Sequence, residues 1–310
     1  MKITVFGGSG FLGSHVSDKL SDAGHEVTNF DIRQSPWLRS DQQEIVGDIL
    51  NINEVQNVVQ GTDIVFNFAG IADIGEANGQ PVDTVRFNIL GNTNILEACR
   101  LAGIKRYVFA SSVYVYSKTG GFYRCSKQAC ELYIETYYEN YGLEYTILRY
   151  GSLYGSRSDE RNAIYRFILQ AFQENKISYF GSPEALREYI HVEDAALCSV
   201  EILKPAYAHQ NIILTGHQPM KVGNILKMIA EMIGKDIEFE FEHGNRSAHY
   251  EITPYSFGPR VGKKFAPPLH VDLGQGVLKV IEEVHKKLHP ELHNLNGVFV
   301  NEKGEKGEVQ

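Results

Sequence analysis

The sequence predicts an α/β protein in which a doubly wound parallel sheet is followed by a smaller, interleaved C-terminal α/β lobe. Strand and helix patterns alternate through the first half of the chain, as repeated βαβ units require. The fourth and fifth strand candidates are almost wholly apolar, which is typical of parallel strands covered by helices on both faces. The predicted strands of this half are residues 2–6, 26–30, 44–46, 64–68, 107–110 and 145–148.

After about residue 150 the pattern changes, and prolines punctuate the chain. We expect short strands at 177–180 and 211–214, and helices at 161–174, 193–204, 222–233 and 273–288. These patterns predict a first domain at 1–150 and a partly interleaved lobe at 151–300. The tail at 301–310 is charged and contains glycine but little apolar content, so we expect it to be disordered.

Composition excludes several classes of function. A net charge of −8 over 310 residues argues against a nucleic-acid-binding protein, which needs a basic face. No apolar run approaches the roughly 20 residues that a membrane-spanning helix needs. The four cysteines lack metal-ligand spacing and the histidines are scattered, so we expect no metal site and a cytoplasmic protein with reduced thiols.

A glycine cluster at Gly7, Gly10 and Gly13 follows the first strand and opens a helix that begins at Phe11 and Leu12. Glycine allows the tight turn and the close approach of the backbone to a pyrophosphate. The amide groups at the start of the helix, together with its dipole, favour negative charge. The cluster predicts a dinucleotide-binding (Rossmann) domain, and a strand–helix turn without a ligand is the alternative.

Asp31 ends the second strand, close to the interval of about 20 residues at which such domains carry an acid for the adenosine ribose. A carboxylate there favours NAD over NADP, although Arg33 could hold an extra phosphate. Asp48 and Ile49 follow the third strand and could contact the adenine, but Asp48 fits a helix N-cap equally well. Further cofactor contacts are expected directly after the fourth strand, at Phe68, Ala69 and Gly70.

Tyr123 and Lys127 lie four residues apart in a long helical pattern, so both side chains lie on one helix face. A phenolate at neutral pH costs roughly 4 kcal/mol, because the pKa of a free tyrosine is about 10. The ammonium of Lys127 and a positively charged nicotinamide ring would lower that cost and make Tyr123 a general base. Ser111 and Ser112, at the end of the fifth strand, add hydroxyls. A solvated lysine beside a core tyrosine is the alternative.

Together these residues, with Asn88 and Gly91, resemble the extended short-chain dehydrogenase/reductase family. Leu148-Arg149-Tyr150, Tyr154-Gly155 and the segment 187–194 make the chain similar to its nucleotide-sugar epimerases and dehydratases, over about residues 1–235. The resemblance implies a tightly bound NAD, contacted also by Asn88, and a nucleotide-diphosphate sugar. It makes Tyr123 the base, Lys127 its electrostatic partner and Ser112 the hydroxyl on the sugar oxygen. The substrate contacts that it implies are Ser111, Ser112, Tyr114, Ser152, Arg187 and Arg246.

The chain departs from the family pattern at several of these positions. Val113 and Tyr114 stand where the water-expelling enzymes carry Asp-Glu, which disfavours a 4,6-dehydratase, and a decarboxylase is disfavoured too. Ser152 replaces the usual asparagine, and Arg246 is the expected substitute for a missing second phosphate-binding arginine. The connection at 113–122 is shorter than in related enzymes, so we expect a more open or differently capped active site.

The resulting hypothesis is a nucleotide-sugar 4-epimerase, which oxidises C4, lets the keto sugar rotate and then reduces it from the opposite face. A dehydrogenase that releases the 4-keto sugar is the alternative, and a non-catalytic NAD-binding sensor is a further one. Helical patterns at 88–101 and 125–141 carry apolar residues on more than one side, with Ala129, Leu132 and Thr136 in one stripe. We therefore expect a homodimer, and burial of both sides within one chain is the alternative.

Overall fold

The computed structural model describes residues 1–242, 263–265, 270–290, 299–300 and 306–307. The strands are β1 (Lys2–Phe6), β2 (Glu26–Asp31), β3 (Gln42–Val46), β4 (Ile64–Asn67), β5 (Arg106–Ser112), β6 (Tyr145–Tyr150), β7 (Ser152–Tyr154), β8 (Lys176–Phe180), β9 (Leu186–His191), β10 (Gln210–Leu214), β11 (Pro219–Lys221), β12 (Glu238–Glu242), β13 (Lys263–Phe265), β14 (Phe299–Val300) and β15 (Lys306–Gly307). The α-helices are α1 (Phe11–Asp22), α2 (Ile52–Val58), α3 (Ile74–Gly79), α4 (Pro81–Thr84), α5 (Gly91–Ala102), α6 (Gly121–Tyr141), α7 (Ala163–Glu174), α8 (Val192–Glu201), α9 (Val222–Ile233) and α10 (Leu273–Leu288). Three further helical segments are not α-helical. They are a π-helical segment at Val85–Leu90 and 3₁₀ turns at Val113–Tyr116 and Pro205–Tyr207.

The main sheet has eight strands in the order β13-β10-β6-β5-β4-β1-β2-β3. Every neighbouring pair in it is parallel. The order reverses between β1 and β4, and open sheets of this kind bind ligands beyond the carboxyl ends of the strands at such a point. The predicted doubly wound sheet is thereby confirmed.

Helices cover both faces of this sheet, and each face has its own apolar core. In β5, Phe109 packs into the core that contains Ile95 of α5 and Ile134 of α6. Val108, the residue before it, packs into the opposite core with Val16 of α1. Successive side chains of a strand point to opposite faces, so a strand covered on both sides is apolar at most positions.

The chain after β6 contributes to two places. Strands β10 and β13 extend the main sheet. Strands β7, β9 and β11 form a separate three-stranded sheet, and β8 pairs with β12. Helices α7, α9 and α10 enclose the apolar core of this lobe, which includes Phe167, Ile225 and Val280. The return of β10 to the main sheet carries the lobe back against the carboxyl ends of the strands.

Several boundaries differ from those predicted. Strand β5 extends to Ser112, because its pairing with β6 continues to Tyr150. Helix α7 begins at Ala163, since the Asn162 side chain accepts hydrogen bonds from the amides of Ile164 and Tyr165 and so caps the helix. Within the tail predicted to be disordered, β15 pairs antiparallel with β14, a local contact that composition did not reveal. The other tail residues lie outside the described part of the chain.

In the part of the chain that the structure describes, no helix has both the length and the apolar character needed to cross a bilayer.

Candidate active site

A cleft of about 690 Å³ lies at the carboxyl ends of the central strands, between the main sheet and the C-terminal lobe. Volumes of this size are typical of small-molecule and cofactor sites. The predicted site residues that line it are Gly7, Gly10, Phe11, Leu12, Gly13, Asp31, Arg33, Asp48, Ile49, Phe68, Ala69, Gly70, Ser111, Ser112, Tyr114, Tyr123, Lys127, Ser152 and Arg187. One cleft therefore joins the predicted cofactor residues to the predicted catalytic residues.

The glycine loop packs so closely against neighbouring backbone that Gly7 and Gly13 cannot carry a side chain without a shift. Gly7 has φ +78°, and a Cβ there would lie 2.7 Å from the Ala69 backbone nitrogen. A Cβ on Gly13 would lie 2.1 Å from the Gly7 carbonyl oxygen. Helix α1 begins after Gly10 without a side-chain cap, so its first amides point into the cleft with the positive end of the helix dipole. This cradle fits the pyrophosphate of a dinucleotide.

Asp31 lies at the far end of the cradle and is half-buried. Its Oδ2 accepts a hydrogen bond of 3.1 Å from the Ser9 amide. Burial raises the pKa of this carboxyl, while the Ser9 and Arg33 amides oppose the rise. The Arg33 side chain is exposed. A carboxylate in this place can accept hydrogen bonds from ribose hydroxyls.

Asp48 is not the N-cap that we considered as an alternative. The Asn51 side chain caps α2 by accepting a hydrogen bond from the Asn53 amide. Asp48 accepts from the Leu50 amide at 2.9 Å and lines the cleft.

Asn88 does not line the cleft, contrary to the cofactor contact that we expected from the family resemblance. Its Oδ1 accepts a 2.7 Å hydrogen bond from the Ile71 amide, and its Nδ2 donates to the Ile71 carbonyl and to Ser126 Oγ. The π-helical segment at Val85–Leu90 brings this side chain beside the loop after β4. Asn88 therefore fixes the backbone of that cofactor-lining loop, which carries Gly70 at φ +125°.

Tyr123 and Ser112 meet at the centre of the cleft. Tyr123 lies in the first turn of α6, is 9% exposed, and shares a hydrogen bond with the Ser112 side chain. Ser112 ends β5 and also accepts a 3.3 Å hydrogen bond from the Tyr114 amide. Two hydroxyls from different elements therefore converge on one point, as proton removal from a substrate alcohol requires.

Burial raises the pKa of Tyr123 to about 12, which the hydrogen bond from Ser112 opposes and the Asp73 carboxylate reinforces. Lys127 Nζ lies 5.8 Å from the centre of the Tyr123 ring and donates a 2.7 Å hydrogen bond to the Ala110 carbonyl oxygen. The expected lowering of the Tyr123 pKa is thus not met by the protein's own groups. Burial is the largest influence on this phenol, so a phenolate at neutral pH needs a further positive charge close to it.

The predicted substrate contacts differ in how the protein itself uses their side chains. The Ser111 hydroxyl donates a 2.5 Å hydrogen bond to Glu131 Oε1, so its hydrogen is used within the protein although the residue lines the cleft. Tyr114 packs edge-on against the Tyr123 ring, at 6.3 Å between ring centres. Arg187 is 6% exposed and donates to the Tyr179 hydroxyl at 3.2 Å. Arg246 lies outside the described residues.

The sequence analysis did not predict several residues that line the cleft, namely Asp73, Glu76, Arg161, Tyr179 and Tyr189. Asp73 caps α3 by accepting a 2.8 Å hydrogen bond from the Glu76 amide. An aspartate three residues before a glutamate is a helix-start signal that the sequence offered. The position of α3 beside the cleft depends on packing and has no local signal.

Helix α3 also bounds the site beside the short connection at 113–122. Asn78 of α3 accepts a 3.0 Å hydrogen bond from the Phe122 amide at the start of α6. Gly121 has φ +51°, and a Cβ on it would lie 2.0 Å from Asn78 Oδ1. The cleft is therefore bounded on this side by α3, whose Ile74 and Glu76 line it.

The family model described as "NAD dependent epimerase/dehydratase family" matches residues 3–213. The chain belongs to this family. NAD is therefore the cofactor of this epimerase/dehydratase family member, and the glycine cradle, with Asp31 beside it, fits that cofactor.

Among curated proteins, this family member is 25% identical over 268 residues to an uncharacterized UDP-glucose epimerase of Bacillus subtilis, covering 78% of this chain and 85% of the relative. A UDP-glucuronate 4-epimerase of Thermodesulfobacterium geofontis is 25% identical over 265 residues, covering 76% of this chain and 82% of that protein. A UDP-N-acetyl-alpha-D-glucosaminuronate decarboxylase of Bacillus cytotoxicus is 30% identical over 226 residues, which are 63% of this chain and 69% of that protein.

Among solved structures, UDP-glucose 4-epimerase of Thermotoga maritima with UDP-glucose matches with a TM-score of 0.81 at 22% identity, covering 93% of this chain and 100% of that chain. The Thermus thermophilus UDP-glucose 4-epimerase complex with NAD matches with a TM-score of 0.79 at 23% identity, covering 92% and 99%. At these identities the likeness establishes the fold.

Proposed function

We propose that this enzyme is a nucleotide-sugar 4-epimerase. The observation that carries the proposal is the meeting of the Tyr123 and Ser112 hydroxyls at the centre of the cleft, with the Lys127 ammonium on the same helix face. Relatives named as UDP-glucose and UDP-glucuronate 4-epimerases support a nucleotide-diphosphate sugar as substrate.

In the proposed reaction, Tyr123 removes the proton of the sugar 4-hydroxyl and later returns it. With the sugar bound, the Ser112 hydroxyl, which otherwise donates to Tyr123, donates to the same sugar oxygen, and Lys127 supplies positive charge on the tyrosine's side of the cleft. NAD, when bound, supplies the reversible hydride acceptor that oxidation and re-reduction at C4 require.

Arg187 is the proposed anchor for the diphosphate. Its guanidinium is held by the Leu186 carbonyl and the Tyr179 hydroxyl at 2.8 and 3.2 Å, which orients the fork of donors within the cleft lining. A planar fork of this kind matches the geometry of phosphate oxygens. Anchoring at the diphosphate leaves the sugar free to turn its other face toward the cofactor, which 4-epimerisation requires.

The residues directly after Ser112 argue against water expulsion. Val113 is 1% exposed and packs in the core, and Tyr114 presents an aromatic ring to the cleft. Neither carries a carboxyl group that could act at C5 or C6. The epimerase therefore accounts for this part of the site better than a dehydratase does.

A homodimer is part of the proposal. The outer faces of α5 and α6 expose large apolar side chains, including Leu101 at 56%, Leu132 at 55% and Tyr141 at 58%. Cys130 and Ile134, on the opposite side of α6, are buried in the core against the sheet. Exposed apolar surface on two adjacent helices is suited to a symmetric contact with a second copy. Leu132→Asp should lower the mass measured by light scattering, whereas Leu278→Asp, at a 47% exposed position on α10, should not.

The activity test uses a panel of UDP- and GDP-sugars with NAD added. A 4-epimerase converts one of them to the C4-inverted sugar without net formation of NADH. Net NADH in proportion to keto sugar would instead identify a dehydrogenase, and carbon dioxide from a uronic acid substrate a decarboxylase.

Tyr123→Phe should lose epimerisation. Tyr137→Phe is the matched control, because Tyr137 lies on the same helix and loses a hydroxyl that donates to Glu97 at 3.2 Å. Full activity of Tyr123→Phe on every accepted sugar would refute the proposed base.

A further inference from the structure

A buried ion pair lies directly behind the catalytic hydroxyls. Arg149 of β6 and Glu131 of α6 are 3% and 4% exposed. Their contact is bidentate, with Arg149 Nη2 at 2.6 Å from Glu131 Oε2 and Nε at 3.0 Å from Oε1. Solvent does not reach the pair, so the attraction between its two charges is little screened. The two parallel hydrogen bonds fix the orientation of the guanidinium relative to the carboxylate.

Each member of the pair also holds a hydroxyl beside the site. Glu131 Oε1 accepts the 2.5 Å hydrogen bond from Ser111, the neighbour of Ser112. Arg149 Nη1 donates at 2.5 Å to the hydroxyl of Tyr116, and its guanidinium lies 4.8 Å from the centre of the Tyr116 ring. Tyr116 belongs to the short connection between Ser112 and Tyr123. Four elements therefore meet at this pair.

Three successive residues of β5 are attached to one face of α6. Tyr123, Lys127 and Glu131 are spaced four residues apart, so they form a single stripe on the helix. The Ser112 hydroxyl is hydrogen-bonded to Tyr123. The Ala110 carbonyl accepts a hydrogen bond from Lys127, and the Ser111 hydroxyl donates one to Glu131. Two of these contacts involve groups of the proposed reaction, and the third is the buried pair.

Stability alone is a weak reason for such an arrangement. Desolvation of two charges offsets most of their attraction, and an apolar replacement of the same volume is often neutral or stabilising. A bidentate pair with two further hydroxyl contacts does, however, define the spacing between strand and helix to within hydrogen-bond tolerance.

We propose that Arg149 and Glu131 are positioning residues that hold the end of β5 against α6, so that Ser112 and Lys127 keep their places relative to Tyr123. The proposal rests on the proposed function, in which Tyr123 is the base. Arg149 and Glu131 act through Ser111 and do not themselves touch the substrate.

Ser111→Ala is the principal test variant, because it cuts the link from the pair to β5 and leaves the ion pair intact. Thr146→Val is the matched control. Thr146 is also fully buried, lies at the other end of β6, and donates a 2.9 Å hydrogen bond to the Tyr207 carbonyl. Glu131→Gln is a second variant, which leaves the buried guanidinium without its counter-charge and is expected to unfold more easily.

The first readout is turnover of the sugar nucleotide. For Ser111→Ala we expect kcat to fall about 10-fold with KM little changed, because the proton-transfer geometry is loosened while the substrate anchor is not touched. Thr146→Val should keep the parent kcat.

The second readout needs no substrate. Tyrosine labelled with ¹³C at Cζ reports ionisation of the phenol in the NAD-loaded protein, and Tyr123→Phe identifies the resonance of Tyr123. We expect its titration midpoint to rise by about 0.5 pH unit or more in Ser111→Ala, because a displaced Ser112 no longer stabilises the phenolate. The other groups that act on this phenol, Lys127 on α6 and Asp73 at the start of α3, are unchanged in Ser111→Ala and in Thr146→Val.

An unshifted midpoint in Ser111→Ala would overturn the proposal, and so would an equal shift in Thr146→Val. Failure of the proposed function gives a different result. In that case the parent protein converts no sugar nucleotide, or Tyr123→Phe stays active, while the titration still reports whether the pair positions Ser112.

Discussion

The Lys127 ammonium donates a 2.7 Å hydrogen bond to the Ala110 carbonyl oxygen, and so ties α6 to β5 two residues before Ser112. The same ammonium lies 4.7 Å from the centre of the Phe109 ring. Burial lowers the pKa of Lys127, and the nearby Cys130 and Glu131 oppose that change. The ammonium is therefore fixed beside the cleft, where it can stabilise negative charge on the Tyr123 phenol.

Lys127→Met should separate activity from stability. Removal of the ammonium should lower kcat about 100-fold, because the phenolate of Tyr123 loses a favourable charge. The free energy of unfolding should stay equal or rise, since a buried charge is replaced by an apolar chain of similar length. Turnover and urea denaturation measure the two effects. Lys105→Met is the control, because Lys105 is exposed and paired with Asp63. Parent-like turnover in Lys127→Met would contradict the assigned role.

Asp31→Asn should change the choice of cofactor. The amide keeps an acceptor for the Ser9 amide, but it makes weaker hydrogen bonds to ribose hydroxyls and no longer repels a 2′-phosphate. The ratio of NAD to NADP affinity, measured by calorimetry, should fall about 10-fold or more. Asp41→Asn serves as the control, since Asp41 pairs with Arg39 at the surface. An unchanged ratio would place the ribose elsewhere.

Gly13→Ala should destabilise the protein and abolish NAD binding. The new methyl group would lie 2.1 Å from the Gly7 carbonyl oxygen, so either the loop or α1 must shift. The expected loss is about 2–3 kcal/mol in the free energy of unfolding. Gly79→Ala, at a helical position where a Cβ meets no atom within 4 Å, should be neutral or stabilising. Equal behaviour of the two variants would show that the loop has spare room.

His191 should make the fold sensitive to acid. Burial lowers the pKa of this 2% exposed imidazole to about 4, from an ordinary value near 6.5. A depressed histidine pKa contributes stability that is fully present above pH 6.5 and is lost as the pH falls toward 4. Between pH 7.5 and 5.0 the loss should be about 2 kcal/mol.

The check on His191 is urea denaturation at both pH values. In His191→Asn the side chain still accepts the hydrogen bond from the Glu193 amide that caps α8, but it does not titrate. Its pH dependence should be smaller than the parent's by that amount. Parallel curves for parent and variant would assign the acid sensitivity to other groups.

The features predicted correctly have local causes. Each of these features is visible within one or two secondary-structure elements. They are the strands that are apolar on both faces, the glycine spacing at Gly7 and Gly13, and the four-residue interval from Tyr123 to Lys127. The sequence patterns therefore predicted the parallel sheet and the line of groups at its carboxyl edge. These patterns depend on periodicity and backbone sterics, which do not need the rest of the chain.

Asn88 and Ser111 show where such reasoning ends. Both were predicted to contact a ligand, and both use their side chains within the protein. Ser111 lies two residues after Phe109, so it points to the same face of β5, toward α6. Only the packing of α6 on that face decides that Glu131 meets it there.

The sequence by itself determined that a dinucleotide cradle precedes α1 and that one helix carries both a tyrosine and a lysine. Only the tertiary structure decided that Ser112 meets that tyrosine, that α3 bounds the cleft and that a buried Arg149–Glu131 pair stands behind it. The reason is physical. Local patterns set the shape of each element, whereas contacts between residues far apart in the chain depend on how all the elements pack together.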